Sequence, residues 1–115
     1  VLVVEDEWLI RFDIASHLSE EGFDVHEAAD ADEAIAILES VPDIRLLFTD
    51  INMPGSMDGL RLSAAVRDRW PPIKIIITSG HLSIRSSDIP DGARFFSKPY
   101  RQAEVAQSMH ELLAC

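Results

Sequence analysis

Four carboxylates stand where short apolar runs end. Glu5, Asp6 and Glu7 follow the run Val1 to Val4, and Asp50 follows the run Ile44 to Thr49. Thr78 and Ser79 close the run that starts at Ile73, and Ser97, Lys98 and Pro99 follow the short run Ala93 to Phe96. If folding gathers these ends, carboxylates crowd. Two like charges ~4 Å apart repel by roughly 4 kcal/mol at an effective dielectric of about 20. Either their pKa values rise or a cation sits between them. Hard oxygen ligands with room for water and phosphate oxygens suit Mg²⁺, with Mn²⁺ as the alternative ion. An acid pair, an isolated aspartate, a hydroxyl and a lysine together suit phosphoryl transfer onto a carboxylate. Asp50 is then the nucleophile. The cation and Lys98 offset charge on the equatorial oxygens of the transferring group.

Such a set works only if the elements bring it to one place. Val1 to Val4 is wholly apolar, as a strand covered on both faces must be. Ile10, Ile14 and Leu18 recur at four-residue steps, with Leu9, Phe12 and Ala15 widening the stripe, so an amphipathic helix follows and stops at Gly22. Phe23 to Glu27 alternates like a strand with one wetter face, an edge strand. Asp30 and Glu33 make a capping-box variant before the face Ala31, Ala34, Ile35, Leu38. Ile44 to Thr49 is a buried strand, Asp58 to Trp70 a helix ended by Pro71-Pro72, and Ile73 to Thr78 the most apolar strand. Ala93 to Phe96 is a short last strand, and Val105, Ala106, Met109, Leu112 and Leu113 make the inner face of a final helix.

Between them, His81 to Gly92 carries Ser, Asp, Pro and Gly with little periodicity, so at most a short helix or turn is expected. Alternating strands and helices predict an α/β fold: a doubly wound, five-stranded parallel sheet with helices on both faces and right-handed crossovers. The expected order is the flavodoxin-like 2-1-3-4-5, with a shortened or irregular fourth helix. Its ligand crevice lies at the carboxyl ends of strands 1 and 3.

Size and charge bound the rest. The chain has 115 residues, one domain's worth, expected to span 1–115. A formal charge of −10 disfavours direct nucleic-acid binding, which needs a basic face, and suits a cation or a basic partner. Apolar runs fall well short of the ~20 residues that cross a bilayer, and no leader pattern is seen. The lone cysteine, Cys115, forms no intrachain disulfide, so a reducing cytoplasm is the expected location. The first residue lies inside an apolar run without Met, as in a chain trimmed at that end.

These residues resemble a known family, the receiver domain of bacterial two-component response regulators. The resemblance covers essentially the whole chain. It rests on Val3-Val4-Glu5-Asp6-Glu7, on Thr49-Asp50-Ile51-Asn52-Met53-Pro54 with Asp58-Gly59, on Thr78-Ser79-Gly80 and on Lys98-Pro99-Tyr100, in that order. It implies that Asp50 accepts a phosphoryl group from a phosphohistidine of a sensor histidine kinase or phosphotransfer protein. Glu5 and Asp6 then hold Mg²⁺ with Asp50 and the backbone carbonyl of Asn52, and Lys98 contacts the phosphoryl group. Family spacing favours Ser79 over Thr78 as the switch hydroxyl and places the aromatic switch at Phe95. Asn52 and His81 flank the site and tune loss of the phosphoryl group to water. The Lys98–Pro99 peptide is cis by the same resemblance.

Three features depart from the common pattern. Gly55-Ser56-Met57 lengthens the loop after Asp50 by about one residue, the Ser79-to-Lys98 interval is short, and Phe95 lacks a hydroxyl. The last two fall on the family's signalling surface, which leaves the downstream effector and a homodimer through that face open. Two other readings compete. One is a degenerate receiver acting as a phosphorylation-independent binding module. The other is an aspartyl phosphatase, which needs a second acid two residues after its nucleophile, where this chain has Asn52. Among the bland assignments, Glu7 is a solvated loop residue or cap. His17, His26 and His110 are surface residues without metal spacing, and Trp8 and Trp70 are packing groups.

Overall fold

The computed structural model describes residues 1–53, 55, 57–80 and 89–114. Its elements alternate: β1 (Leu2–Val4), α1 (Trp8–Glu20), β2 (His26–Ala28), α2 (Ala31–Ser40), β3 (Leu46–Asp50), α3 (Gly59–Arg69), β4 (Lys74–Ser79), β5 (Arg94–Ser97) and α4 (Gln102–Leu113). The strands form one five-stranded sheet in the order β2-β1-β3-β4-β5, parallel at every pairing. This is the expected doubly wound α/β fold. The weak segment anticipated before the last strand falls largely outside the described residues, as does His81. Only its end is seen, where the Ala93 amide closes a turn on the Pro90 carbonyl at 3.1 Å and Gly92 takes φ +82°.

Strand alternation builds two cores. Leu2, Val4, Leu47, Ile75 and Ile77 face α2 and α3, meeting Ala34, Leu38, Leu62 and Val66. Val3, Leu46, Phe48 and Ile76 face the other way, onto Ile14 and Leu18 of α1 and Val105 and Met109 of α4. Each such Leu or Ile contributes about 1.5–3 kcal/mol of hydrophobic stabilisation when fully buried, so these layers hold the strand ends in place. The helix ends follow the sequence signals. The Asp30 carboxylate accepts the Glu33 amide at 2.9 Å while Glu33 reaches back to the Ala29 amide at 3.1 Å. Asp58 caps α3 by accepting the Arg61 amide at 2.9 Å. After α1, Gly22 sits at φ +95°, and the Phe23 amide donates back to the Leu18 carbonyl.

Three expectations need correction. The edge strand is His26–Ala28 rather than Phe23 to Glu27, because β1 begins at Leu2 and pairs Leu2 with His26; Phe23 and Val25 pack into the second core instead. β3, β4 and β5 run one or two residues further along the chain than expected. In particular β4 ends at Ser79, not Thr78. Finally, Trp8, Leu9 and Phe12 do not pack inward; they are 63%, 64% and 60% exposed. The α-helical turn explains this. At 3.6 residues per turn, these three lie roughly 120–160° around the helix from Ile14, so only Ile14, Ala15 and Leu18 are buried in α1.

Candidate functional site

Register puts the polar residues on one edge of the sheet. Val4 pairs with Thr49, Asp50 with Thr78, and Ser79 with Ser97. The ladders continue one step past the strands: the Glu5 amide donates to Ala28, the Ile51 amide to Thr78 and the Lys98 amide to Ser79, at 3.1, 2.9 and 2.9 Å. Glu5, Asp50, Ser79 and Lys98 are therefore delivered by backbone pairing, not by their own attractions.

Within that edge, Lys98 joins the two buried acids. Its Nζ donates to Glu5 Oε1 at 2.9 Å and to Asp50 Oδ2 at 3.0 Å. Glu5 and Asp50 are only 3% and 4% exposed, while Asp6 is exposed. One ligand oxygen from each of Glu5, Asp6 and Asp50 lies within 4.8 Å of the others. Asp50 Oδ1 is buried and has no hydrogen-bond partner among the described residues. A buried carboxylate with an unpartnered oxygen, clustered with two further acids, is a place for a hard cation, and an all-oxygen donor set fits Mg²⁺.

Charge states follow from burial and neighbours. Burial pushes the Glu5 carboxyl above its ordinary range, and the Asp50 charge adds to this, against the opposing hydrogen bonds from Lys98 and the Glu7 amide. Partial burial pulls the Lys98 ammonium down, but its bonds to Glu5 and Asp50 outweigh that and hold its pKa above the usual lysine value. Tyr100 is pushed up to about 12 by burial and the Glu5 charge, so its phenol stays protonated. Tyr100 meets Phe48 edge-on at 5.7 Å and, with Ile10, Asp13, Lys98, Pro99 and Gln102, lines an open groove of about 420 Å³ beside the acids.

Two close approaches shape the pocket floor. A Cβ on Gly59 would fall inside van der Waals contact of the Asp50 carbonyl oxygen and 2.8 Å from Ile51 Cα. The Gly59 amide donates to the Ile51 carbonyl at 2.9 Å, so the start of α3 closes directly onto the end of β3. On the other rim, the Lys98–Pro99 peptide is cis, as the resemblance implied.

The same arrangement recurs in a known family. The family model of the response regulator receiver domain matches residues 1–110. The chain belongs to that family. This receiver domain is 34% identical over 117 residues to the sensor kinase CckA of Brucella abortus, covering 98% of the chain but 12% of the kinase. The chain thus spans a small part of that curated relative. Among solved structures, a response regulator receiver protein from Sinorhizobium medicae superposes with a TM-score of 0.91 at 27% identity, covering 99% of this chain and 93% of that one. The receiver domain of NtrX from Brucella abortus gives 0.88 at 36% identity, covering 98% and 97%. Receiver domains are the signalling modules of two-component phosphorelays, and no helix among the described residues of this one is long and apolar enough to cross a membrane.

Most of the sequence candidates converge in this receiver domain. Glu5, Asp6, Asp50 and Lys98 meet in one pocket. Thr78 and Ser79 are both buried at the adjoining strand end, and Asn52 is exposed on the loop beyond Asp50. Phe95 is half-buried on β5 and packs against the α2–α3 core, with β4 between it and the strands that carry the acids. Arg11 was passed over by sequence reasoning. Its Nη1 donates to the Glu5 carbonyl at 2.8 Å. The available signal was a lone cation one helical turn into α1, four residues after the last of three consecutive acids.

Proposed function

We propose that this receiver domain, residues 1–115 acting as one unit in the cytoplasm, accepts a phosphoryl group at Asp50. The donor is the phosphohistidine of a histidine kinase or phosphotransfer protein. The observation that carries the reading is the buried Asp50 carboxylate, held by Lys98 on one oxygen, without a hydrogen-bond partner among the described residues on the other, and clustered with Glu5 and Asp6. A carboxylate oxygen of Asp50 attacks phosphorus and the P–N bond breaks. Its electron pair stays on the imidazole nitrogen, which takes up a proton from water. Lys98 stays charged, because its pKa is raised, and offsets charge on the transferring oxygens. Glu5, Asp6, Asp50 and the Asn52 carbonyl would hold Mg²⁺, or Mn²⁺ in its place, which when bound supplies further neutralisation of phosphoryl charge.

Phosphorylation adds nearly two negative charges at Asp50. Ser79 is the hydroxyl drawn toward them, Phe95 repacks with the end of β4, and the surface around β5 shifts between two states that a downstream effector reads. Asn52 and His81 tune the return of the phosphoryl group to water. The test is mass spectrometry after incubation with a small phosphodonor and Mg²⁺. Wild type gains one phosphate and Asp50→Asn gains none; label on the Asn variant would remove Asp50 from its role.

A further inference from the structure

Glu5 is fixed from every side. Its amide donates to Ala28 at 3.1 Å, its Oε2 accepts the Glu7 amide at 3.1 Å, and its Oε1 accepts Lys98. The remaining group, its carbonyl, accepts Arg11 Nη1 at 2.8 Å. That carbonyl is in the peptide that leads into Asp6, so whatever holds it also sets where the Asp6 carboxylate can reach. Arg11 in turn is anchored on the edge strand, with Nε 3.3 Å from Glu27 Oε1. Its side chain is only 20% exposed. Nothing in the function proposed above uses Arg11 or Glu27.

We propose that Arg11 is a positioning residue for the cation pocket: anchored on Glu27, it locks the Glu5–Asp6 turn in the conformation that presents its two carboxylates to one ion. The proposal rests on the reading of this pocket as a divalent-cation site. Two effects of the guanidinium oppose each other. Its charge repels a divalent cation, whereas its hydrogen bond pre-forms the site. Glu27 offsets the charge and leaves the positioning, which is why an acid on a solvent-facing strand matters to a pocket it does not line. Groups that orient metal ligands from behind typically change affinity by about 10–100-fold when removed.

The opposing signs make the proposal testable with Mg²⁺ alone. Binding is followed by Trp8 fluorescence and by the rise in melting temperature, and melting in chelator establishes that each variant folds. Arg11→Met should weaken Mg²⁺ binding roughly tenfold, Arg11→Lys should recover part of the loss through a single donor, and Glu27→Gln should weaken binding by a smaller factor. A Met variant that binds Mg²⁺ as tightly as wild type or more tightly, or a Lys variant no better than Met, overturns the proposal. Should Arg11→Met not fold, Glu27→Gln decides it: unchanged or tighter binding overturns. Wild-type protein silent to Mg²⁺ by both readouts would instead overturn the cation-site reading itself.

Discussion

The Lys98 ammonium lies 3.0 Å from Oδ2 of Asp50, across 48 residues of chain. Their two strands are not neighbours: β4 runs between β3 and β5. Lys98 bridges that gap from the end of β5 and reaches Glu5 at the end of β1 as well. One cation thus offsets two buried carboxylates contributed by different strands.

Removing that cation should leave an uncompensated acid pair. Lys98→Met is expected to lower stability by about 2 kcal/mol at pH 7, below the roughly 3–5 kcal/mol for breaking a fully buried pair because Lys98 is partly exposed. The loss should shrink at a second, lower pH, because Glu5, whose pKa burial raises, takes up a proton more readily than an ordinary carboxylate. Urea denaturation at the two pH values checks this. A loss that is independent of pH would show that the Lys98 stem, not its charge, carries the effect.

Glu5 should give a pH dependence of its own. Its folded pKa lies above the ordinary 4.5, so the native state binds more protons than the unfolded chain between those values. Stability is therefore greatest below pH 4.5 for this group and falls as pH rises through the folded pKa. Glu5→Gln should abolish that decline and leave the metal-free protein at least as stable at pH 7. It should also reduce the stabilisation that Mg²⁺ confers. Denaturation curves at several pH values, with Mg²⁺ or chelator, measure both. A Gln variant that is less stable in chelator would contradict the sign.

Gly59 tests the packing under the site. Gly59→Ala places a methyl against the Asp50 carbonyl and Ile51 Cα, both backbone atoms that cannot rotate away. Overpacking of this kind typically costs about 1–3 kcal/mol, and the upper end is expected here. A denaturation midpoint unchanged from wild type would mean that α3 can withdraw from β3 without penalty.

Ser79 separates phosphorylation from response. It is fully buried at the end of β4. Ser79→Ala should still gain one phosphate by mass spectrometry, with slower hydrogen-exchange change in 93–97 than the phosphorylated wild type shows or none at all. A full response from the Ala variant would transfer the switch role to Thr78, which pairs with Asp50 in the β3–β4 register.

Much of this protein is written in local pattern. Apolar runs of strand length, the Asp30–Glu33 cap and the Pro71-Pro72 stop each act over a few residues, so local pattern sets the element order, and the order of an alternating chain leaves few sheet topologies. The acids, the hydroxyls and Lys98 could be singled out because they stand where apolar runs stop. What the linear chain does not contain is angle and distance. The stripe of α1 looked wide because Leu9 and Phe12 are apolar, yet the helical turn carries them, with Trp8, to the solvent side. The reach of Arg11 back to the Glu5 carbonyl depends on how α1 leaves β1. Lys98 finds two acids at once only because parallel register aligns the ends of β1, β3, β4 and β5 on one rim. Pattern decides which groups are present, and packing of the helices on the sheet decides which of them meet.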